Sequence, residues 1–121
     1  MASKRATVLF AHGSRDPLWS RPIEAVAARM RQQARGVIVR CAYLELTPPE
    51  LPSVVAELAA DGATEIVVLP MFLGVGRHAR SDLPELVNRL RVVYPKLHIA
   101  LRPAVGEDPR VIDLLARIAL D

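Results

Sequence analysis

The sequence predicts an α/β fold, a single domain built on a four-stranded parallel sheet with helices on both faces. Three observations carry that prediction. Short, nearly continuous apolar runs recur along the chain, stretches of helical periodicity separate them, and capping or turn-forming residues mark the joints. Runs of this kind belong to parallel strands covered on both sides, and strand–helix alternation from end to end implies right-handed crossovers.

The expected strands are "TVLFA" at 7–11, "VIVRCAYL" at 37–44, "EIVVLPMF" at 65–72 and "LHIAL" at 97–101. Between the first two, Ile23, Val26, Ala27, Met30 and Ala34 form one apolar stripe at helical spacing. Leu51, Val54, Val55 and Leu58 repeat the pattern, as do Leu83, Leu86, Val87 and Leu90, and then Val111, Leu114, Leu115 and Ile118. The helix starts are signed as well. Thr47 reads as an N-cap with Pro48 at the first helical position and Glu50 closing a capping box, and Asp82 with Glu85 offers a similar box. Asp108 and Pro109 mark the last helix, and Trp19 is expected to anchor the first.

A chain of 121 residues is the size of one domain, spanning 1–121, with room for one core but not for a deep, self-contained cleft. A large active site would need a second subunit. No apolar stretch approaches the ~20 residues that cross a bilayer, and the opening "MASKRATVLF" lacks a secretory signal's apolar segment, so the expectation is a cytoplasmic protein with no membrane partner. The lone Cys41 cannot make an internal disulfide and, within an apolar run, reads as core filler.

The net charge of +3 rests on arginines, with Lys4 and Lys96 the only lysines, which suits recognition of carboxylates or phosphates. Nucleic acid is disfavoured, because the arginines are dispersed and aromatics make up only 4% of the chain. Gly74 and Gly76 lack the third glycine and acidic partner of a dinucleotide fingerprint, no Walker-type lysine motif is present, and the pair reads as a tight turn.

In open sheets of this class ligands collect beyond the carboxyl ends of the strands. The loops expected there carry His12, Gly13, Ser14 and Arg15 after the first strand, Glu45 after the second, and Arg77, His78 and Arg80 after the third. His12, Glu45 and His78 recur at equal intervals, as successive strand–helix units would place them on one rim. Two neutral imidazoles and a carboxylate suit a borderline divalent transition metal and leave coordination positions open for exchange. Histidine also accepts protons near neutral pH. Each group has a plainer reading: a surface histidine, or for Glu45 an acid at a helix start. His98, away from the rim, reads as structural.

Taken together, "LFAHGSRDPLW", "AYLEL" and "LPMFLGVGRHARSDLPEL" resemble the small, single-domain CbiX-type sirohydrochlorin chelatases of the class II chelatase group, and the resemblance covers essentially the whole chain. It implies insertion of a divalent metal, cobalt foremost and iron or nickel otherwise, into sirohydrochlorin, as a step toward cobalamin, sirohaem or coenzyme F430. It further implies a homodimer, a tetrapyrrole partner, and Co²⁺, Fe²⁺ or Ni²⁺ as substrate with no tightly bound cofactor. His12 and His78 match the family's two active-site histidines, and Glu45 matches the acidic position that assists metal binding in longer relatives. Ser14, Arg15, Arg77 and Arg80 are the substrate-binding candidates, since sirohydrochlorin is rich in carboxylates. Two alternatives stand beside this reading. One is a non-catalytic module that binds metal or tetrapyrrole. The other is a phosphohistidine-type phosphotransfer enzyme, disfavoured because Ala11 stands where the R-H-G of such enzymes has arginine.

Overall fold

A computed structural model describes residues 3–121. It contains β1 (Arg5–Ala11), α1 (Arg21–Gln33), β2 (Ile38–Tyr43), α2 (Leu51–Ala60), β3 (Glu65–Pro70), α3 (Arg77–Val93), β4 (His98–Leu101), a short 3₁₀ turn (Val105–Glu107) and α4 (Pro109–Leu120). The sheet is four-stranded in the order β2-β1-β3-β4. Every pair is parallel, as the apolar runs predict.

Strand alternation sends side chains to two unequal cores. Ala6, Val8 and Phe10 of β1, Ile66 and Val68 of β3 and Ile99 of β4 meet Leu51, Val54, Val55 and Leu58 of α2 and Leu83, Val87 and Leu90 of α3. This is the main core. On the other face Leu9 and Val39 meet Ala27 of α1, with Ile23, Met30, Leu69 and Met71 partly buried around them. Central β1 is therefore apolar on both faces, which is why its run is almost unbroken.

Two helix starts differ from expectation. Thr47 does not cap α2, whose N-cap is Glu50, with Pro52 in the first turn. The two X-Pro steps at 47–49 disfavour helical backbone, and the Pro49 carbonyl accepts from the Tyr43 N–H at 2.9 Å, so this segment runs on beside β2 before the helix begins. Likewise Asp82 and Glu85 do not open α3, which starts at Arg77 and carries Pro84 inside it. A proline within a helix costs about 3 kcal/mol. The helix nevertheless continues through it, and the turns before Pro84 bury Ala79 above Leu83 and Val87 on one stripe.

The start of α4 agrees with expectation. Asp108 is its N-cap, accepting from the Arg110 N–H at 2.8 Å, and both carboxylate oxygens take the Arg110 guanidinium. Those hydrogen bonds hold the Asp108 carboxyl down at about 2, below its ordinary 3.8. A depressed folded-state pKa means that the cap is fully effective above the ordinary carboxyl range and weakens as pH falls toward 2. We predict that the Arg110 amide resonance stays at its neutral-pH position down to about pH 4 and moves only below it; a midpoint at the ordinary carboxyl pKa would refute the cap.

Candidate functional site

In the order β2-β1-β3-β4 the chain goes from β1 to one side and then returns to the other, so the switch point lies between β1 and β3. In open α/β sheets ligands bind at such a point, outside the carboxyl ends of the strands. His12 is the first residue after β1, and its ring lies over Phe72, the second residue after β3, with centroids 4.6 Å apart and a 36° tilt. Phe72 is buried and sits edge-on to Phe10 at 6.1 Å, so the imidazole rests on a platform continuous with the main core.

Backbone pairing beyond the strands fixes the loops. The Leu44 N–H donates to the Ala11 carbonyl at 2.9 Å and the Glu45 N–H to the His12 carbonyl at 3.0 Å, which carries the β1–β2 ladder out to the site. Glu45 thus lies beside His12 in the backbone, with its side chain exposed. Gly13 follows with φ of +94°, and a Cβ there would stand 1.8 Å from the Glu45 carbonyl oxygen. Only glycine permits both the left-handed backbone and this approach. Ser14 Oγ accepts from the Asp16 N–H at 3.0 Å, and Asp16 Oδ1 accepts from the Leu18 N–H at 2.9 Å, so side chains set the turn that leads to α1. Trp19 packs edge-on against Tyr43 at 6.2 Å, tying the start of α1 to the end of β2 as expected.

Arg77, His78 and Arg80 occupy the first turn of α3, all exposed. No acidic residue accompanies them, and Gly76 gives no side-chain cap. This arrangement opposes the helix macrodipole, whose positive end disfavours cations by about 0.3–1 kcal/mol each. Local stability has been exchanged for a positive helix start, where exposed guanidinium groups stand beside backbone N–H groups that have no side-chain cap. Arg15 is exposed in the adjacent loop. A small apolar cavity of about 110 Å³ opens under α3, with Arg80 and Arg102 among its lining residues. A larger hollow of about 480 Å³ lies at the opposite edge of the sheet, between the end of α3 and residues 59–64, where no histidine, cysteine or carboxylate lines it.

The fold therefore brings the loops of His12, Glu45 and His78 to one edge of the sheet. It does not gather their side chains into a cage. Among the described residues, no three His, Cys, Asp or Glu side chains stand close enough together to hold a metal ion. His98 begins β4 at the opposite edge, exposed, its backbone N–H bonded to the Thr64 carbonyl at 3.0 Å. Cys41 is partly buried, and burial raises its thiol pKa, which keeps it protonated and inert. Two features escape the sequence reading, the Phe72 platform and Arg102. The first had a signal, an aromatic residue in the stretch right after a strand bound for the rim.

With this geometry in place, comparison with known proteins decides the family. The CbiX family model matches residues 6–120. The chain belongs to the CbiX family. It is 25% identical to the sirohydrochlorin cobaltochelatase of Methanococcus aeolicus, over 91% of this chain and 94% of that one. Against the sirohydrochlorin ferrochelatase of Priestia megaterium it is 27% identical over 91% of its length, yet it spans only 41% of that protein. Among solved structures, a cobalamin (vitamin B12) biosynthesis CbiX protein from Marinobacter aquaeolei superposes with a TM-score of 0.80 at 31% identity, over 96% of this chain and 93% of the other.

The close approach at Gly13 yields a test within this CbiX chain. Gly13→Ala should lower the thermal stability, because a left-handed non-glycine costs about 1–3 kcal/mol and the methyl collides with backbone. The same change should disturb the amide resonances of residues 44–46, and an unshifted melting curve with unchanged resonances would contradict the geometry.

Proposed function

We propose that this chain inserts a divalent metal, cobalt foremost and iron or nickel otherwise, into sirohydrochlorin, releasing two protons. The observation that carries the reading is the β1–β3 switch point, where the loop of His12 and the loop that leads to the cationic first turn of α3 leave adjacent strands at the same edge of the sheet. The relatives named above for this reaction include one matched over nearly its whole length.

The chemistry follows from the donors. Insertion requires that the incoming ion shed water while both pyrrole N–H protons leave. A neutral imidazole can do either task, as a ligand that delivers the ion or as a base that accepts a proton. We assign these tasks to His12 and His78 jointly, with Glu45 assisting the metal. His12 is oriented by its stacking on Phe72, and His78 by the first turn of α3. Because no three such donors stand together among the described residues, this reading has the ion held loosely and passed onward to the ring nitrogens; a saturated site would retain it.

Arg15, Arg77, Arg80 and Ser14 bind the macrocycle's carboxylates in this reading, with the amides at the start of α3. One chain forms only an open wall. A second copy facing the same rim would enclose a planar macrocycle, so the working unit is a homodimer with two-fold symmetry. No helix among the described residues is long and apolar enough to cross a membrane, and we place the enzyme in the cytoplasm, where tetrapyrrole intermediates and reduced metal ions are available.

The deciding experiment follows the visible spectrum of sirohydrochlorin with Co²⁺, Fe²⁺ or Ni²⁺ under anaerobic conditions. Insertion should exceed the rate without protein, and His12→Ala or His78→Ala should each reduce it roughly 100-fold or more. A rate equal to the protein-free control would reject catalysis and leave a binding module. Arg77→Ala and Arg80→Ala should each raise KM for the tetrapyrrole about tenfold with little change in kcat, the signature of lost charge-assisted binding. A fall in kcat alone would place these arginines elsewhere in the mechanism.

A further inference from the structure

Pro84 sits where a helix disfavours it. With no N–H at 84, the Arg80 carbonyl one turn earlier loses its helical donor, and the pyrrolidine ring crowds that carbonyl. The small apolar cavity of about 110 Å³ under α3 opens at this point, with Pro84 and Arg80 both in its lining. Phe72, Val75 and Ala79 supply apolar wall, and Arg102 reaches the cavity from the end of β4. No acidic side chain lines it.

The backbone of Arg102 is fixed by the sheet. It is the first residue after β4, as His12 is after β1, and its N–H donates to the Val68 carbonyl at 3.0 Å, which carries the β3–β4 ladder toward the edge where His12 stands. Neither Arg80 nor Arg102 forms an ion pair among the described residues. Arg102 also borders a hollow of about 220 Å³ that Glu107 and Asp108 help to line, but Asp108 gives both carboxylate oxygens to Arg110. Two guanidinium groups from different elements thus border apolar space without a counter-ion.

We propose that this cavity is a subsite for a short aliphatic arm that ends in a carboxylate, with Arg102 and Arg80 holding the carboxylate. The assignment rests on the chelatase reading, in which the arm belongs to the rim of sirohydrochlorin, and it adds the end of β4 to the loops used there. The chemistry selects the ligand. The space exceeds the ~30 Å³ that one water fills, and its apolar wall offers water few partners, so an apolar stem is the better occupant. The carboxylate at the end of that stem takes paired N–H donors from a planar guanidinium. Phosphate has no stem to cover the wall. Phe72 belongs to this wall and also carries the His12 ring at 4.6 Å, so an arm seated here anchors the macrocycle beside that histidine.

Binding of sirohydrochlorin to the full chain, followed in its visible spectrum without metal, tests the assignment. Arg102→Gln should raise Kd about tenfold, as loss of one charge-assisted contact does, and leave the melting curve unchanged. Val75→Phe, which fills the cavity, should do the same to Kd, and Arg102→Lys should restore part of the affinity. Arg89→Gln, an equal change of charge on an exposed part of α3, should leave binding as it was. Propionate at tens of millimolar should shift the Val75 and Ala79 methyl resonances to saturation, whereas propionamide and phosphate should not. Unaltered binding by Arg102→Gln, equal losses in the Arg102 and Arg89 variants, or methyl resonances that ignore propionate or follow phosphate equally would overturn the proposal. Propionate shifts without any effect of Arg102→Gln on tetrapyrrole binding would make this a site for a free short carboxylic acid and overturn the assignment to the macrocycle. Metal-free binding that depends on Arg102 in a chain that inserts no metal would uphold the subsite while rejecting catalysis, and insertion with a Kd indifferent to Arg102 would do the reverse.

Discussion

The structure depends on the pairing of β1 with two parallel neighbours at once. Residue by residue, Ala6 to Phe10 are matched to Ile38–Ala42 on one side and to Ile66–Pro70 on the other. A slip of one residue on either side would turn Val8 and Phe10 away from α2 and α3 and break the main core. That register also ends β1 level with β2 and β3, so the residue that follows each strand is delivered to the same edge. The positions of His12 and Phe72 are in this sense consequences of core packing. Two rings come within 4.6 Å because the strands beneath them cannot slide.

Against this rigid frame, the places where the chain departs from what stability favours fall together at the rim. Arg77 and Arg80 sit on the wrong pole of a helix dipole, and Gly13 takes a left-handed backbone hard against the Glu45 carbonyl. Leu46 also has a positive φ, of 67°, just after Glu45. None of these is needed to build the sheet. Strain and uncompensated charge concentrated in one place are expected where a protein must present donors to a ligand, because the ligand then supplies the missing partners.

Much of this was legible in the letters. The four strands were located to within two residues, because buried parallel strands require unbroken apolar runs, and the helical stripes on α2 and α3 match the side chains that are buried. Strand order was not legible, since periodicity records which face of an element is buried and not which element lies beside it. The switch point between β1 and β3 therefore could not be assigned before the fold was known. The misplaced starts of α2 and α3 share a cause. "TPPE" and "DLPE" carry sound capping chemistry, but the Tyr43 N–H donates to the Pro49 carbonyl beside β2, and α3 is already under way at Arg77 with Ala79 buried on its inner stripe. The loops of His12, Glu45 and His78 could be assigned to one edge because each follows a predicted strand of a parallel sheet. How their side chains stand toward each other could not, because rotamer and loop conformation set it.

The absence of a three-donor cluster within the described residues bears on mechanism more than its presence would. A metal cage complete in one chain would bind the ion tightly, and the free energy gained there would have to be returned when the ion moved to a macrocycle. Donors spread along an open rim avoid that deep intermediate. They also leave the final coordination to be completed by what docks there, whether ring nitrogens or a facing subunit. An open rim, a cationic helix start that waits for anions and an α4 whose apolar side faces water are three forms of one condition. Each is a surface left open by the single chain, and the first two meet where the loops after β1 and β3 leave the sheet.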